Sequence, residues 1–532
     1  MPNAGTRKKG LPMSKLRDVN TTDIEDAIRL GCRTMCNVFN ADDDNVPFFG
    51  SRVLPEARLS FSPVHSESHV PGRHLNALLN AENAIGIELD ERCIDNHASA
   101  AFLAYSGPVA LPINRDGVGG PRVNFTPHNC REGFHALYPL VRFRHSERAR
   151  EIAEASIREI PKHWSPVNGW DYDVLEGKLG LRVHRSTFVV GLGRSIGPLV
   201  KYYRATGYGA ALDLALVLKD KALEYFNENG DYDRETFGAH THSTTCVMSS
   251  LAQLAELTSD GPLMNRVKAF YDNGLREFSD PLGWVIENSG DEAPADRGEI
   301  NNSGDILETA LILGRWGYAG YYDDAERILR CHILPSQLRD VSFIHDPPDP
   351  GGDDGKRDVA NRHLGAFGFP APYGHHPIGL ETVSFNMDIV GGGVGSLCEA
   401  HRAVAFSDEA GHRVNLLFDH ESPSVKIESP YTHPALRVRV KRAGPLWVRV
   451  PPWMEASKIR IRGARDAPRE ANGYLYVARP PLNRPITFEF PLIEREIVLH
   501  HRTRRIRVRL RGDEVAAMDN FGADLTFFEP YE

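Results

Sequence analysis

The 532-residue sequence is poor in cysteine: Cys32, Cys36, Cys93, Cys130, Cys246, Cys331 and Cys398 are all it has. They are scattered and odd in number, no two are adjacent, and none forms a C-x-x-C pair. Neither a disulfide framework nor a tetra-cysteine zinc site is expected. Long apolar runs are missing as well. None reaches the ~20 residues that a membrane helix needs. The basic start MPNAGTRKKGLPMSKLRD has no apolar segment behind it, as a secretory signal would. The expectation is a cytoplasmic protein that does not engage a membrane. There is no cationic excess either. Lys and Arg number 62 against 71 Asp and Glu, a net charge of −9, which leaves no footprint for nucleic acid.

What is present is ordinary globular composition, 41% hydrophobic and 25% charged. The length allows two to four domains. Character changes near residue 410. Before it, segments 135–164, 195–226, 250–278 and 310–338 each read as an apolar helix, a short break and a second helix. The breaks fall at His145-Ser146, Thr206-Gly207, Ser259-Asp260 and Gly317-Tyr318. Apolar residues recur at helical spacing, as in Leu212, Ala215, Leu216, Ala222, Leu223 and Phe226. Such hairpins cannot bury their faces alone, and residues 70–115 and 380–405 can supply more. The reading is a closed (α/α) barrel, with an open helical solenoid as the alternative. From 413 on, nine short segments alternate with period two, from RVNLLF to EIVLHH and RIRVRLRG, and predict an antiparallel β-sandwich. The fold class is thus mainly α plus β, with an extension at 1–60, a barrel at 61–410 and a sandwich at 411–532. The sandwich faces could support a homodimer.

The loops between hairpins carry the chemistry. WVIENSGDEAPADRGEINNSGD (284–305) holds Glu287, Asp291, Glu292, Asp296, Glu299 and Asp305, with Asn302 at the mouth of the next helix. Carboxylates in a cleft suit general acid/base work on a glycosidic bond; a solvated acidic loop with Asn302 or Asp305 as helix cap is the plainer reading. FGAHTHSTTCVM (237–248) places His240 and His242 two apart before a helix, where both can line a pocket; H-x-H alone is no metal motif. VHRSTFVVGLGRS (183–195) offers His184, Arg185 and Arg194, of which either arginine could clamp a carboxylate or sugar hydroxyls or sit in a salt bridge. Its G-L-G stretch has no preceding strand and fails as a dinucleotide site. Trp170 could stack on a sugar face. His375 and His376, and His128 and His135, are further candidates. No metal and no cofactor are expected.

Three stretches resemble the β-L-arabinofuranosidase family, glycoside hydrolase family 127. They are SGDILETALILGRWGYAGYYDDAERILRCHILPSQL (303–338), GGGVGSLCEAHRAVAFSDEAGHRVNLLFD (391–419), and LWVRVPPWMEASKIRIRG followed by GYLYV (446–477). With the helical repeats the resemblance spans roughly residues 130–495. It implies a six-hairpin (α/α) barrel followed by a β-sandwich, and a pocket for a terminal sugar. The family holds a zinc with one Glu and three Cys, one of them the nucleophile. Here Asn302, Ser303 and Gly304 stand at the Glu-x-Cys motif, Gly392 and Gly393 stand at the cysteine pair, and Cys398 comes several residues too late. The family's acid/base Glu is matched in position by Glu287, with Glu299 second. Three readings follow. The first is a zinc-independent glycoside hydrolase acting on an oligosaccharide end, with Glu287 as acid and Asp305 or Glu299 as partner. The second is a lyase or dehydratase on a uronic acid, using His240, His242, His184 and Arg185. The third is a sugar-binding relative without activity.

Overall fold

The computed structural model describes residues 15–290, 296–501 and 504–532; Asp291 and Glu292 lie outside them. Twelve helices of the described residues build the first unit. They are α1 (Ile24–Met35), α2 (Val70–Ile85), α3 (Glu91–Ala104), α4 (Asn129–Arg144), α5 (Glu147–His163) and α6 (Ile196–Thr206). The others are α7 (Gly209–Ala222), α8 (Thr241–Thr258), α9 (Gly261–Asp272), α10 (Ile300–Arg315), α11 (Tyr321–Ile328) and α12 (Met387–Val404).

The even-numbered helices except α12 open a hairpin in the sequence, and each packs on the next: α2 on α4, α4 on α6, α6 on α8, α8 on α10. α10 packs on α12, and α12 returns to α2, so six inner helices close a ring. Five odd-numbered helices back them. The hairpin turns are chemically explicit. His145, Gly207 and Ser259 adopt the left-handed conformation that stops the inner helix. Ser146 and Asp260 then accept backbone N–H groups to cap α5 and α9.

The sixth outer helix is α1, which packs on α12 and α2. The expected 1–60 extension therefore does not stand apart from the barrel. Ile24, Ala27, Ile28, Cys32 and Met35 are buried, because they form one apolar stripe that α12 would otherwise leave wet. The strip of polar leader ahead of this helix masked that role in the sequence.

The second unit is the sandwich. Its strands are β1 (Ala405–Asp408), β2 (Gly411–Val414), β3 (His420–Glu421), β4 (Val425–Glu428) and β5 (Leu436–Val440). β6 (Leu446–Arg449), β7 (Arg460–Arg462), β8 (Arg469–Ala471), β9 (Tyr474–Val477) and β10 (Pro485–Glu489) follow. They form two five-stranded sheets, β3-β4-β5-β10-β7 and β8-β9-β6-β2-β1. One pairing, β6 with β2, is parallel, so the sandwich is not purely antiparallel.

EIVLHH and RIRVRLRG do not join it. They form β11 (Glu494–His500) and β12 (Arg505–Arg511), which pair with β13 (Glu514–Met518) in a separate three-stranded sheet. Leu499, Ile506, Val508 and Leu510 belong to a second core with Val38, Phe48, Leu338 and Phe385 from the barrel's loops. Their alternating pattern specified a strand with one buried face but not which partner covers it. The barrel and sandwich are pinned by Arg330, wholly buried, which pairs with Glu326 at 3.0 Å and lies over the rings of Phe418 and Tyr431. Arg449 bonds Asp323 and Glu326 from the sandwich side. No helix among the described residues is long and apolar enough to cross a membrane.

The tightest backbone-to-backbone approach in the ring is at Gly72 of α2, where a Cβ would collide with the Glu132 backbone of α4. Gly72→Ala is expected to cost about 1–3 kcal/mol and lower the thermal midpoint. Gly117→Ala, with open space around it, serves as the control and should leave the midpoint unmoved.

Candidate active site

All six inner helices run the same way, so their N-terminal ends meet at one mouth. The residues at the N-cap positions are His69, His128, Ser195, His240, Glu299 and Asn386. The positive ends of six helix dipoles converge there, although first-turn N–H groups such as those of Val70, Cys130, Thr241, Ile300 and Met387 already donate to backbone carbonyls. That setting favours oxygen-rich and anionic groups.

Beneath the mouth lies a buried charge cluster. Glu132 of α4 is wholly buried and serves Arg131 at 2.6 Å, Arg73 of α2 at 3.2 Å, Arg194 ahead of α6 at 3.6 Å and His135 at 3.2 Å. Burial alone would raise its proton affinity, but Arg131 and Arg73 outweigh that and hold the carboxyl well below the usual range. Arg73 and Arg194 also flank His242, their guanidinium nitrogens 3.0 Å from Nε2 and 3.1 Å from Nδ1, and the neutral ring accepts a hydrogen bond from one of them only. Burial and these guanidiniums keep His242 neutral. Its ring stands 3.8 Å from Glu299 and 3.4 Å from Asp305.

Glu299 is placed by a folded-back loop. Residues 285–288 run beside 296–299: Glu287 N–H donates to Arg297 O, and Glu299 N–H donates to Val285 O. Asn302 fastens this loop to α8, its amide donating to Thr241 Oγ1 and Ile286 O, both at 3.0 Å. Asn301 donates to Glu299 Oε1 at 2.7 Å, while Oε2 faces His240 at 4.0 Å. Burial, then the neighbouring Glu287 and Asp388, push the Glu299 carboxyl up to about 8. Burial also raises Glu287, which pairs with Arg297 at 3.0 Å and is partly open to solvent. Burial lifts Asp305 to about 6 against the pull of Arg131 and Arg73.

Asp388, in the first turn of α12, was not anticipated. Burial pushes it up, but His69, 3.2 Å away, and Arg73 prevail and hold it below its ordinary value. The sequence clue was an acid two residues after Asn386 at the start of an inner helix. Glu132, Arg73 and Arg131 were also missed. Their clue was charge on the inward face of otherwise apolar helices, which is rare without pairing.

Among the sequence candidates, Glu287, Glu299, Asp305, His240, His242, Asn302 and Arg194 gather at this mouth. His128 joins them at the mouth and His135 lies on Glu132 beneath it, whereas Asp296 is held by Tyr373 and Arg504 and His376 by Leu380 O, and four more lie elsewhere. Trp170 is buried in a short hairpin, its ring 5.1 Å from that of Phe125. His375 is buried between Phe385 and Phe527 in the second core, and burial drives it down to about 3. Arg185 is exposed, bound to Glu176 and stacked on Tyr172. His184 is exposed next to it.

Two groups among the described residues draw potential metal ligands within 4.8 Å of one another: His65, His69 and His128, and His240, His242 and Glu299. The first is compromised by His69. Asn129 donates its amide to Val64 O and Ser68 Oγ, which turns its carbonyl to His69 Nδ1. Nε2 faces Asp388 at 3.2 Å, so both ring nitrogens already have oxygen partners within the protein. In the second, two guanidiniums flank His242 and oppose a further cation. The family zinc does not fit either. A Cβ at Gly392 would collide with Asn301 Oδ1 and one at Gly304 with Ser396 Oγ, and at Gly393 it would press on the Phe367 ring. The side chains of Asn301, Ser396 and Phe367 occupy the space that the family's thiolates would need, and Cys398 is buried on α12.

No protein-family model matches the sequence, and no curated protein matches it. Solved structures do. A GH127 β-arabinofuranosidase is 13% identical with a TM-score of 0.58, over 92% of this chain and 78% of that one. A GH127 β-L-arabinofuranosidase from Geobacillus stearothermophilus T6 is 14% identical with a TM-score of 0.57, over 92% and 80%. A third structure, described as a glycoside hydrolase, is 12% identical with a TM-score of 0.54, over 84% and 76%. At such identities the likeness is one of fold: the helical barrel and sandwich of GH127 are the architecture of this chain.

Removing Glu132 would strand three buried guanidiniums. Glu132→Gln is expected to cost about 3–5 kcal/mol at pH 7. The carboxyl is depressed in the folded state, so its contribution is complete above the ordinary value of about 4.3 and lost as pH falls through the lower folded one. Thermal melts of wild type and variant should differ widely at pH 7 and converge in acid; a gap that stays constant from pH 7 to 3 contradicts this role.

Proposed function

We propose that the protein is a zinc-independent glycoside hydrolase that removes a terminal sugar from an oligosaccharide, with Glu299 as general acid. The observation that carries this reading is a carboxyl raised to about 8 at the mouth of the inner ring, buried beside the acids Glu287 and Asp388. A buried acid that keeps its proton at neutral pH can hand it to a glycosidic oxygen as the bond breaks. The mouth suits a sugar. His240 is half-exposed, while His65 and His128 are partly buried with their Nε2 atoms 3.2 Å apart; all three are neutral imidazoles able to bond hydroxyls. The likeness to GH127 structures supports a carbohydrate substrate.

Glu287 is assigned a supporting role. Its charge raises Glu299, and its own pairing with Arg297 makes it the weaker proton donor of the two. The elimination reading is less favoured. It needs a strong base, whereas burial drives His240 and His65 down to about 3, and Arg194 is already engaged with His242 and Glu132.

The test is a panel of 4-nitrophenyl glycosides. Wild type should release nitrophenol from at least one, with kcat falling on the basic side at about 8 as Glu299 loses its proton. Glu299→Gln should lose that limb and at least ~100-fold in rate on an unactivated linkage. Glu287→Gln should stay active with the limb shifted to lower pH, because one raising charge is gone. Full activity in Glu299→Gln refutes the assignment.

A further inference from the structure

Charge is spread unevenly along the chain. Residues 411–490 carry fourteen Lys and Arg against seven Asp and Glu, a net charge of +7 in a chain whose total is −9. This stretch builds the sandwich. One of its sheets, β8-β9-β6-β2-β1, turns Arg449 to Asp323 and Glu326 of the barrel. The other, β3-β4-β5-β10-β7, buries Ile427, Val438, Ile486 and Phe488 and leaves its outer face to solvent.

Strand register sets the charges on that face. Lys426 of β4 lies directly opposite Arg439 of β5. Arg437 of β5 and Arg462 of β7 both lie opposite Thr487, on either side of β10. Arg460 of β7 lies opposite Glu489. The four arginines form a diagonal belt, with Arg439 and Arg460 at its ends about 17 Å apart by strand rise and spacing. Arg437 pairs with Glu428 at 2.9 Å, Arg462 with Glu489 at 3.1 Å and Lys426 with Glu421 at 3.1 Å. Arg439 and Arg460 are exposed, and among the described residues their guanidiniums have neither a carboxylate nor a hydrogen-bond partner. Like charges directly opposite each other, as Lys426 and Arg439 are, cost stability. A bound anion removes that cost.

The outward positions of β4, β5, β7 and β10 hold no Phe, Tyr or Trp. Neither a neutral sugar ring nor an unstacked base finds a platform there, so recognition rests on charge. A DNA duplex presents one charge per ~1.7 Å, far denser than this belt. An acidic polysaccharide carries its carboxylates or sulfates singly on successive or alternate sugars. Neighbouring arginines of the belt stand about 7–10 Å apart by the same geometry, which suits that sparser spacing.

We propose that the outer face of this sheet docks an acidic polysaccharide through the carboxylate or sulfate groups on its sugars. This goes beyond the functional reading above and stands without it. The mouth lies at the N-terminal ends of the inner helices, whereas α12 ends at Val404 and β1 begins at Ala405. The sandwich therefore sits at the opposite end of the barrel. A polymer held there anchors the protein and leaves the mouth free to meet neighbouring chain ends at raised local concentration.

The experiment titrates the full-length protein with polygalacturonate and with chondroitin sulfate, read by calorimetry at low ionic strength. Wild type should bind at least one of them, with affinity falling as salt rises. Arg439→Glu/Arg460→Glu should weaken binding at least tenfold, and the milder Arg439→Gln/Arg460→Gln should weaken it in the same direction. Lys178→Glu/Arg276→Glu makes the same change in net charge as the first pair at exposed barrel positions and should stay within twofold of wild type. Equal weakening by the two charge-reversed pairs overturns docking on this face, as does failure to bind either polymer. Tighter binding to a short DNA duplex, or to phosphatidylserine–phosphatidylcholine vesicles, than to both polysaccharides overturns the choice of partner. Binding is read without turnover, so Glu299→Gln should bind as wild type does whether or not it cleaves a glycoside. Failure of the functional reading is thereby separate from failure of this one.

Discussion

One buried carboxylate, Glu132, holds the centre together. It sits on α4 and neutralises arginines from α2, from α4 itself and from the approach to α6. Without it the ring would enclose three positive charges away from water, which no packing of apolar side chains could offset. With it, Arg73 and Arg194 become fixed arms that flank His242, and His242 becomes the spacer between Glu299 and Asp305. The chain of dependence runs from one ion cluster to the placement of two carboxyls on α10.

The helix ring supplies the second half of that argument. Alternating inner and outer helices gives all inner helices one polarity, so six N-terminal ends and their capping residues share a mouth. Burial at such a mouth sorts acids by their neighbours. Asp388 keeps its charge because His69 donates to it. Glu299 keeps its proton because it is buried and because Glu287 and Asp388 stand close. Which carboxyl keeps its proton thus comes from environment, with identical chemistry in the side chains.

The architecture was legible in the sequence where periodicity carried it. The four hairpin breaks fall where His145, Gly207, Ser259 and the turn after Arg315 end the inner helices. What periodicity cannot give is a partner. It marked β11 and β12 as strands but not as a separate sheet, and it did not tie α1 to α12, some 350 residues away. The candidate site was legible in its loops, where Glu287, Glu299, His240 and His242 stand out among polar neighbours. It was illegible inside helices, where Arg73, Glu132 and Asp388 read as single polar letters whose pairing exists only in three dimensions. Trp170 and His375 misled for the opposite reason: their side chains suit a sugar but equally fill a core.

The account turns on a glutamic acid that is protonated at neutral pH. Infrared difference spectroscopy of the isotope-edited protein reads that proton directly. The prediction is a carbonyl band of a protonated carboxyl at pH 7 that fades as pH rises through about 8 and is missing from Glu299→Gln. A spectrum with no such band at pH 7, or a band that survives in the variant, would contradict it.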